Sequence, residues 1–251
     1  MLIHPTIDKL NSMRLAGMAK GLRAQLENPE IHNLPFEDRL ALLVDAELLE
    51  RENRQLASRL KGAKLREHAA LEDLDTRASR GLDRALLASL ATCQWIKRHN
   101  NLVITGATGT GKTWLACALS HTACRQGMTA TYHRLPALMQ DLDLARHDGR
   151  YRKLMRALGR AELLVLDDLG IAPLSVEQLR DLLEIIDERY QKRSTLITSQ
   201  LPVANWHEAL GDPTLADAIL DRVVHNAYKI DLKGADSMRK LRSKIDATGT
   251  M

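Results

Sequence analysis

Residues 106–113 read Gly-Ala-Thr-Gly-Thr-Gly-Lys-Thr, between an apolar run at 102–104 and a helix-forming segment. This is the GxxxxGK[ST] spacing, a strong signal when a strand and a helix flank it. Glycines at 106, 109 and 111 let the backbone wrap close to an anion with its N–H groups turned inward. Lys112 is then placed to reach the β- and γ-phosphates of a nucleoside triphosphate, and the Thr113 hydroxyl to ligate Mg²⁺. The expected ATP-binding set is Gly106, Ala107, Thr108, Gly109, Thr110, Gly111, Lys112, Thr113 and Trp114.

A second constellation lies at 161–170, AELLVLDDLG. Its apolar residues carry Asp167 and Asp168 to the end of a strand, the edge where ligands bind in α/β sheets. Asp167 is placed to hold Mg²⁺ through water. Asp168 is placed to orient or deprotonate an attacking water, or else to cap the following turn. Adjacent carboxylates favour hydrolysis over phosphoryl transfer to a small molecule. The polar end of the next apolar run, TLITSQ at 195–200, offers a group to sense the γ-phosphate. Ser199 is the first choice and Thr198 the second, against a reading in which both make ordinary strand-end hydrogen bonds.

These residues need elements to hold them. Short apolar runs at 102–105, 129–133, 163–167, 195–198 and 227–232 alternate with helical stretches, which predicts βαβ units and a parallel sheet covered on both faces. A helix is expected over 82–96. Residues 1–70 read as helices, one starting at Pro35 and two short ones around 15–17, with no β-branched run. The polar stretch 71–81 places a boundary, giving a helical domain at 1–75 and an ATPase domain at 76–251.

The chain has 251 residues and 45% apolar content, enough for a full core, but only 3% aromatics. That core must be built from Leu, Ile, Val, Ala and Met, and base-stacking recognition of single strands is disfavoured. Cys93, Cys117 and Cys124 are odd in number and lack CxxC spacing, so neither a disulfide framework nor a zinc site is indicated. With no leader and no long apolar span, a soluble, cytoplasmic protein is expected, without a membrane partner. Net charge is +4, concentrated in two stretches. One, at 51–66, includes Arg54, Arg59, Lys61 and Lys64. The other, at 146–160, includes Arg146, Arg150, Arg152, Lys153 and Arg156. Either is a solvated helix face or a track for duplex DNA, bound with little sequence preference.

The phosphate loop, LLVLDDLG, LITSQ and LADAILDRVVHNAYKIDLKGADSMRK together resemble AAA+ ATPases of the DnaA/DnaC branch, and within them the IstB helpers of insertion-sequence transposition. KLNSMRLAGMAKGL and DRLALLVDAEL extend that resemblance over nearly the whole chain. It implies an α/β fold with a five-stranded parallel sheet in the order 5-1-4-3-2, a small N-terminal helical domain and no full C-terminal lid. Arg222, in LDRVVHNA, matches an arginine finger that reaches a neighbouring subunit's ATP, and Arg239, in SMRK, a second sensor arginine. The 146–160 stretch falls where such ATPases insert extra helix facing the axis of a ring or spiral. Two departures stand out: only about twenty residues follow Leu232, and Asp168 stands where many AAA+ proteins carry glutamate. The implied function is an ATPase that self-assembles on DNA and assists a cognate transposase. A helicase loader of the DnaC type and a non-catalytic ATP switch remain open.

Overall fold

The structure, a computed structural model, describes residues 5–74 and 81–234. The chain divides into two compact units, Met1–Ser58 and Arg59–Met251. In the first, α1 (Pro5–Ser12) and α2 (Ala16–Glu27) precede α3 (Phe36–Ala63), which starts directly after Pro35 and runs past the division. Leu15, ahead of α2, supplies no capping side chain. Glu47 of α3 does so instead: its Oε2 accepts from the N–H of Gly17 at 2.7 Å and of Met18 at 3.2 Å. The approach requires glycine, because a Cβ on Gly17 would sit 2.4 Å from the Ala46 carbonyl oxygen. Arg51 donates to Glu47 Oε1 at 2.7 Å and holds that carboxyl below its ordinary range. A negative charge is thus kept at the positive end of the α2 dipole.

In the second unit the helix expected over 82–96 is two helices, α4 (Arg84–Ala91) and α5 (Gln94–Lys97). The break is at Cys93, whose φ is 54°. It turns Trp95 and Ile96 into the core, where the Trp95 indole donates to the Leu90 carbonyl at 3.1 Å. Burying the pair outweighs the cost of one left-handed residue.

From there strands and helices alternate as the apolar runs predict. In chain order they are β1 (Asn101–Gly106), α6 (Lys112–Arg125), β2 (Ala130–Arg134), α7 (Leu135–His147), α8 (Tyr151–Arg160), β3 (Leu163–Leu169), α9 (Val176–Arg189), β4 (Ser194–Ser199), α10 (Trp206–Leu210), α11 (Pro213–Val224) and β5 (Ala227–Leu232). All paired strands are parallel, in the order β2-β3-β4-β1-β5, which is the expected order read from the other edge. Leu163, Leu164, Val165 and Leu166 of β3 have no solvent exposure. Helices α7 to α11 share one core with Val103, Leu164, Leu166 and Ile197, while α6 lies against β1 to β4 outside that cluster. The cysteines are free and buried. Among the described residues no helix is long and apolar enough to cross a membrane.

One buried cation ties α8 to the sheet. Arg189, at the end of α9, is 1% exposed. It donates to the carbonyls of Leu158 at 2.6 Å and Ala161 at 2.8 Å, to Thr195 Oγ1 at 3.1 Å, and to the Ser194 carbonyl. Burial pushes its ionisation down to about 9, so at neutral pH it still carries the charge that suits the carbonyl end of α8. Arg189→Met should leave these carbonyls without a donor and lower the unfolding free energy by about 3 kcal/mol, read from urea melts. A loss under about 0.5 kcal/mol would mean that they find other donors.

Candidate nucleotide site

The end of β1 turns directly into the phosphate loop. Gly106, Gly109 and Gly111 have φ of 145°, 86° and 95°, conformations L side chains rarely adopt. At Gly106 space forbids a side chain as well, since a Cβ would lie 2.4 Å from the Leu232 carbonyl oxygen of β5. Gly111 then opens α6, and Lys112 and Thr113 occupy its first positions, so the loop and the helix N-terminus present their free N–H groups together. Ala107 and Thr108 are exposed, Thr110 is buried and Trp114 is half-buried. Thr110 Oγ1 donates to the Ala107 carbonyl at 2.9 Å, and Thr108 Oγ1 to Gln200 Oε1 at 2.7 Å. The Lys112 ammonium folds back onto the carbonyls of Gly106 at 2.7 Å and Ala107 at 2.9 Å. Its burial lowers its pKa, against the pull of Asp168 and Asp167.

The two carboxylates owe their placement to a bulge. Leu166 pairs with Ile197 and Leu169 with Ser199, so Asp167 and Asp168 together stand opposite Thr198 alone. Asp168 takes φ 70° to accommodate the extra residue, and the bulge interrupts the ordinary alternation of faces. Thr198 joins the pair: its hydroxyl donates to Asp167 Oδ1 and accepts from the Asp168 N–H at 3.1 Å. Asp167 has no solvent exposure. It also accepts from Thr113 Oγ1 at 2.9 and 3.1 Å and from the Tyr132 hydroxyl at 2.5 Å. Asp168 is partly exposed and paired with Arg134, Nε to Oδ2 at 2.9 Å. Burial, then the Asp167 carboxylate, pushes the Tyr132 phenol far up, so it serves as a donor.

Thr113 and Asp167 converge as hard oxygen donors, which fits a divalent cation of the Mg²⁺ class. Among the described residues there is no cluster of three or more His, Cys, Asp or Glu that would form an all-protein cage. Mg²⁺ needs none, because it takes one or two protein oxygens and fills its shell with phosphate and water.

The remaining expected residues lie elsewhere. Ser199 is buried, donating to the Leu169 carbonyl at 2.7 Å and accepting from the Leu201 N–H at 3.1 Å; Thr198 is the one against the carboxylates. Arg222, on α11, pairs with Asp187 of α9 and donates to the Ala218 carbonyl at 2.8 Å. Its own carbonyl accepts from Asn101 Nδ2 at 3.1 Å, which puts it at the start of β1. The phosphate loop leaves the other end of that strand, a rise of about 16 Å. Arg239 lies outside the described residues. Arg54 pairs with Glu50 at 3.7 Å, Arg59 reaches the Cys124 carbonyl at 3.5 Å, and Lys61 and Lys64 are exposed. Arg146 is taken up by buried Asp181 and lies over the Tyr151 ring, 4.2 Å from its centroid. Arg150 pairs with Asp148 at 2.6 Å. Arg152, Lys153 and Arg156 stand on the exposed face of α8 with no acidic partner among the described residues. Sequence reasoning missed Tyr132, Arg134 and Arg66, whose guanidinium charge interacts with the Tyr132 phenol. The signal for the first two was their position on β2, the strand beside the acidic one; Arg66 had none.

Residues 8–247 match the family described as IstB-like ATP binding protein. The insertion sequence ATP-binding protein y4pL of Sinorhizobium fredii is 53% identical over 244 residues, spanning 97% of this chain and all of that relative. The insertion sequence IS21 ATP-binding protein of Pseudomonas aeruginosa is 30% identical over 94% of this chain and 89% of its own. Of solved structures, DnaI resembles it with TM-score 0.59 and 22% identity over 66% of this chain and 92% of that one. AMPPCP-bound DnaA from Aquifex aeolicus gives 0.57 and 17% over 73% of this chain and 56% of that one. Those two likenesses carry the fold, and the sequence relatives carry more. With its phosphate loop, its acidic strand and these sequence relatives, the chain belongs to the IstB-like family of insertion-sequence ATP-binding proteins.

Proposed function

We propose that this chain hydrolyses ATP, assembles with copies of itself on duplex DNA without marked sequence preference, and assists a transposase at its target. One observation carries the reading. Lys112, Thr113, Asp167, Asp168 and Thr198 gather at one end of β1, while Arg222 stands at the other, beyond reach of its own phosphate loop. A site completed by a neighbour's arginine makes turnover depend on assembly. The relatives' association with insertion sequences supports the transposase as partner. Residues 1–75 serve as the helical domain for partner contact and assembly, and 76–251 as the ATPase domain.

On ATP binding, Lys112 exchanges the Gly106 and Ala107 carbonyls for the β- and γ-phosphates. Thr113 and Asp167 would hold Mg²⁺, which would supply neutralisation of phosphate charge. Asp168 leaves Arg134 and takes a proton from water as the water oxygen bonds the γ-phosphorus. The bond from phosphorus to the β–γ bridging oxygen breaks, and ADP and phosphate leave. Thr198 keeps the two carboxylates in register. Turnover then releases the assembly or hands over the DNA. The exposed basic face of α8 tracks the phosphate backbone, positioning the protein without reading bases.

Asp168→Asn should bind ATP normally, lose turnover and prolong the DNA complex, measured by phosphate release and by complex lifetime. Parental turnover in that variant would leave Asp168 as a turn cap. DNA affinity should fall with salt by about 0.9 log units per tenfold salt for each phosphate contact. Replacing Arg152, Lys153 and Arg156 by Ala should flatten that slope by about 3; an unchanged slope would place them in solvent. Arg222→Ala should bind ATP yet lose ~10³-fold or more in rate. Mixed with Lys112→Ala, after sedimentation has shown that the two co-assemble, it should regain part of the activity. Co-assembly with no regained turnover would end the assignment in trans.

A further inference from the structure

Tyr132 has no place in the scheme so far, yet its hydroxyl donates to Asp167 Oδ2 at 2.5 Å. Tyr132 sits on β2 opposite Val165 and is 8% exposed. Phenylalanine would fill the same space, so the core has no need of the oxygen. The phenol donates to the carboxylate. The guanidinium of Arg66, in the segment that follows α3, lies near enough to the phenol to interact with it electrostatically, and a cation on that side favours a phenol whose proton is turned toward Asp167.

We infer that Tyr132 is a positioning residue for the divalent cation of the nucleotide complex, acting through Asp167. The inference rests on the ATPase reading. Three hydroxyls surround Asp167 in this structure, those of Thr113, Tyr132 and Thr198. Thr113 is the one required by the cation, so it must turn away when the site fills. Tyr132 and Thr198 then hold the carboxylate from its two sides, one on β2 and one on β4. Groups that orient a metal-holding carboxylate from behind typically contribute 10- to 100-fold in metal affinity. Tyr132 itself touches neither cation nor phosphate, so binding of metal-free nucleotide to the phosphate loop does not depend on it.

The test is binding of a fluorescent ATP analogue, titrated first in EDTA and then against increasing Mg²⁺, for the parent, Tyr132→Phe, Asp167→Asn and the double variant. In EDTA, Tyr132→Phe should match the parent. Its Mg²⁺ midpoint should rise about tenfold or more, and adding Tyr132→Phe to Asp167→Asn should shift nothing further. Three results would overturn the inference: an unchanged midpoint, a parallel loss in EDTA and in Mg²⁺, or an equal shift in the Asp167→Asn background. Failure of the underlying reading looks different, because the parent itself would then bind the analogue equally with and without Mg²⁺. A folded state is confirmed for each variant by its melting transition. Should Tyr132→Phe not fold, Thr198→Val interrupts the opposite support of Asp167. It should raise the same midpoint, and an unmoved midpoint there would also overturn the scheme.

Discussion

A carboxylate wholly withdrawn from water is tolerable only when its lone pairs are filled. Asp167 is that group here, and much of the second unit can be understood as the means of filling them. Its partners come from three elements: Thr113 from the first turn of α6, Tyr132 from β2 and Thr198 from β4. Only a sheet in which β3 lies between β2 and β4 delivers the last two from opposite sides. Only a loop that returns α6 over the strand ends delivers the first. Three neutral donors stabilise one buried charge, with no cation bonded directly to it among the described residues. On the proposed reading, one of those donors would give way to a metal.

Much of this was legible in the residues. The phosphate loop announces itself by glycine spacing, and the five strands by runs of apolar residues too short for helices. β3 is the clearest, since a strand buried on both faces shows as the continuous run Leu163 to Leu166 and not as alternation. What could not be read depends on tertiary neighbours. Ser199 and Thr198 are adjacent polar residues at a strand end, and no local pattern says which faces the carboxylates. The two-against-one pairing of β3 with β4 decides in favour of Thr198. Likewise the helix expected over 82–96 has an unbroken helical pattern, and its break at Cys93 comes from burying Trp95. The role of Tyr132 is invisible to periodicity, because a tyrosine in a half-buried strand is the ordinary choice of a sheet.

The basic stretches teach a similar lesson about counting charges. Both looked alike as strings, each dense in Arg and Lys with few acids within it. In the folded chain their surroundings differ. Arg51 and Arg54 are matched by Glu47 and Glu50 one turn away, acids that lie just outside the stretch. Arg146 and Arg150 are likewise matched, but the charges on the outer face of α8 have no acidic partner among the described residues. Arg189 fastens the carbonyl end of α8 to the start of β4. The same strand carries Thr198 near its far end, so one β-strand runs from the anchor of the basic helix to the paired carboxylates.

The left-handed backbone at Asp168 has a consequence for ancestry. A bulged position with φ 70° admits glycine freely and the short polar side chains Asp and Asn at little cost, but disfavours longer ones by about 1 kcal/mol or more. The shape of the chain thus restricts which acid can stand here before chemistry is consulted, and favours aspartate over glutamate. Drift at this codon is channelled toward Asn and Gly, neither of which can take a proton from water. On the proposed mechanism, then, this backbone stands one inexpensive substitution from a protein that still folds and holds nucleotide without turning it over.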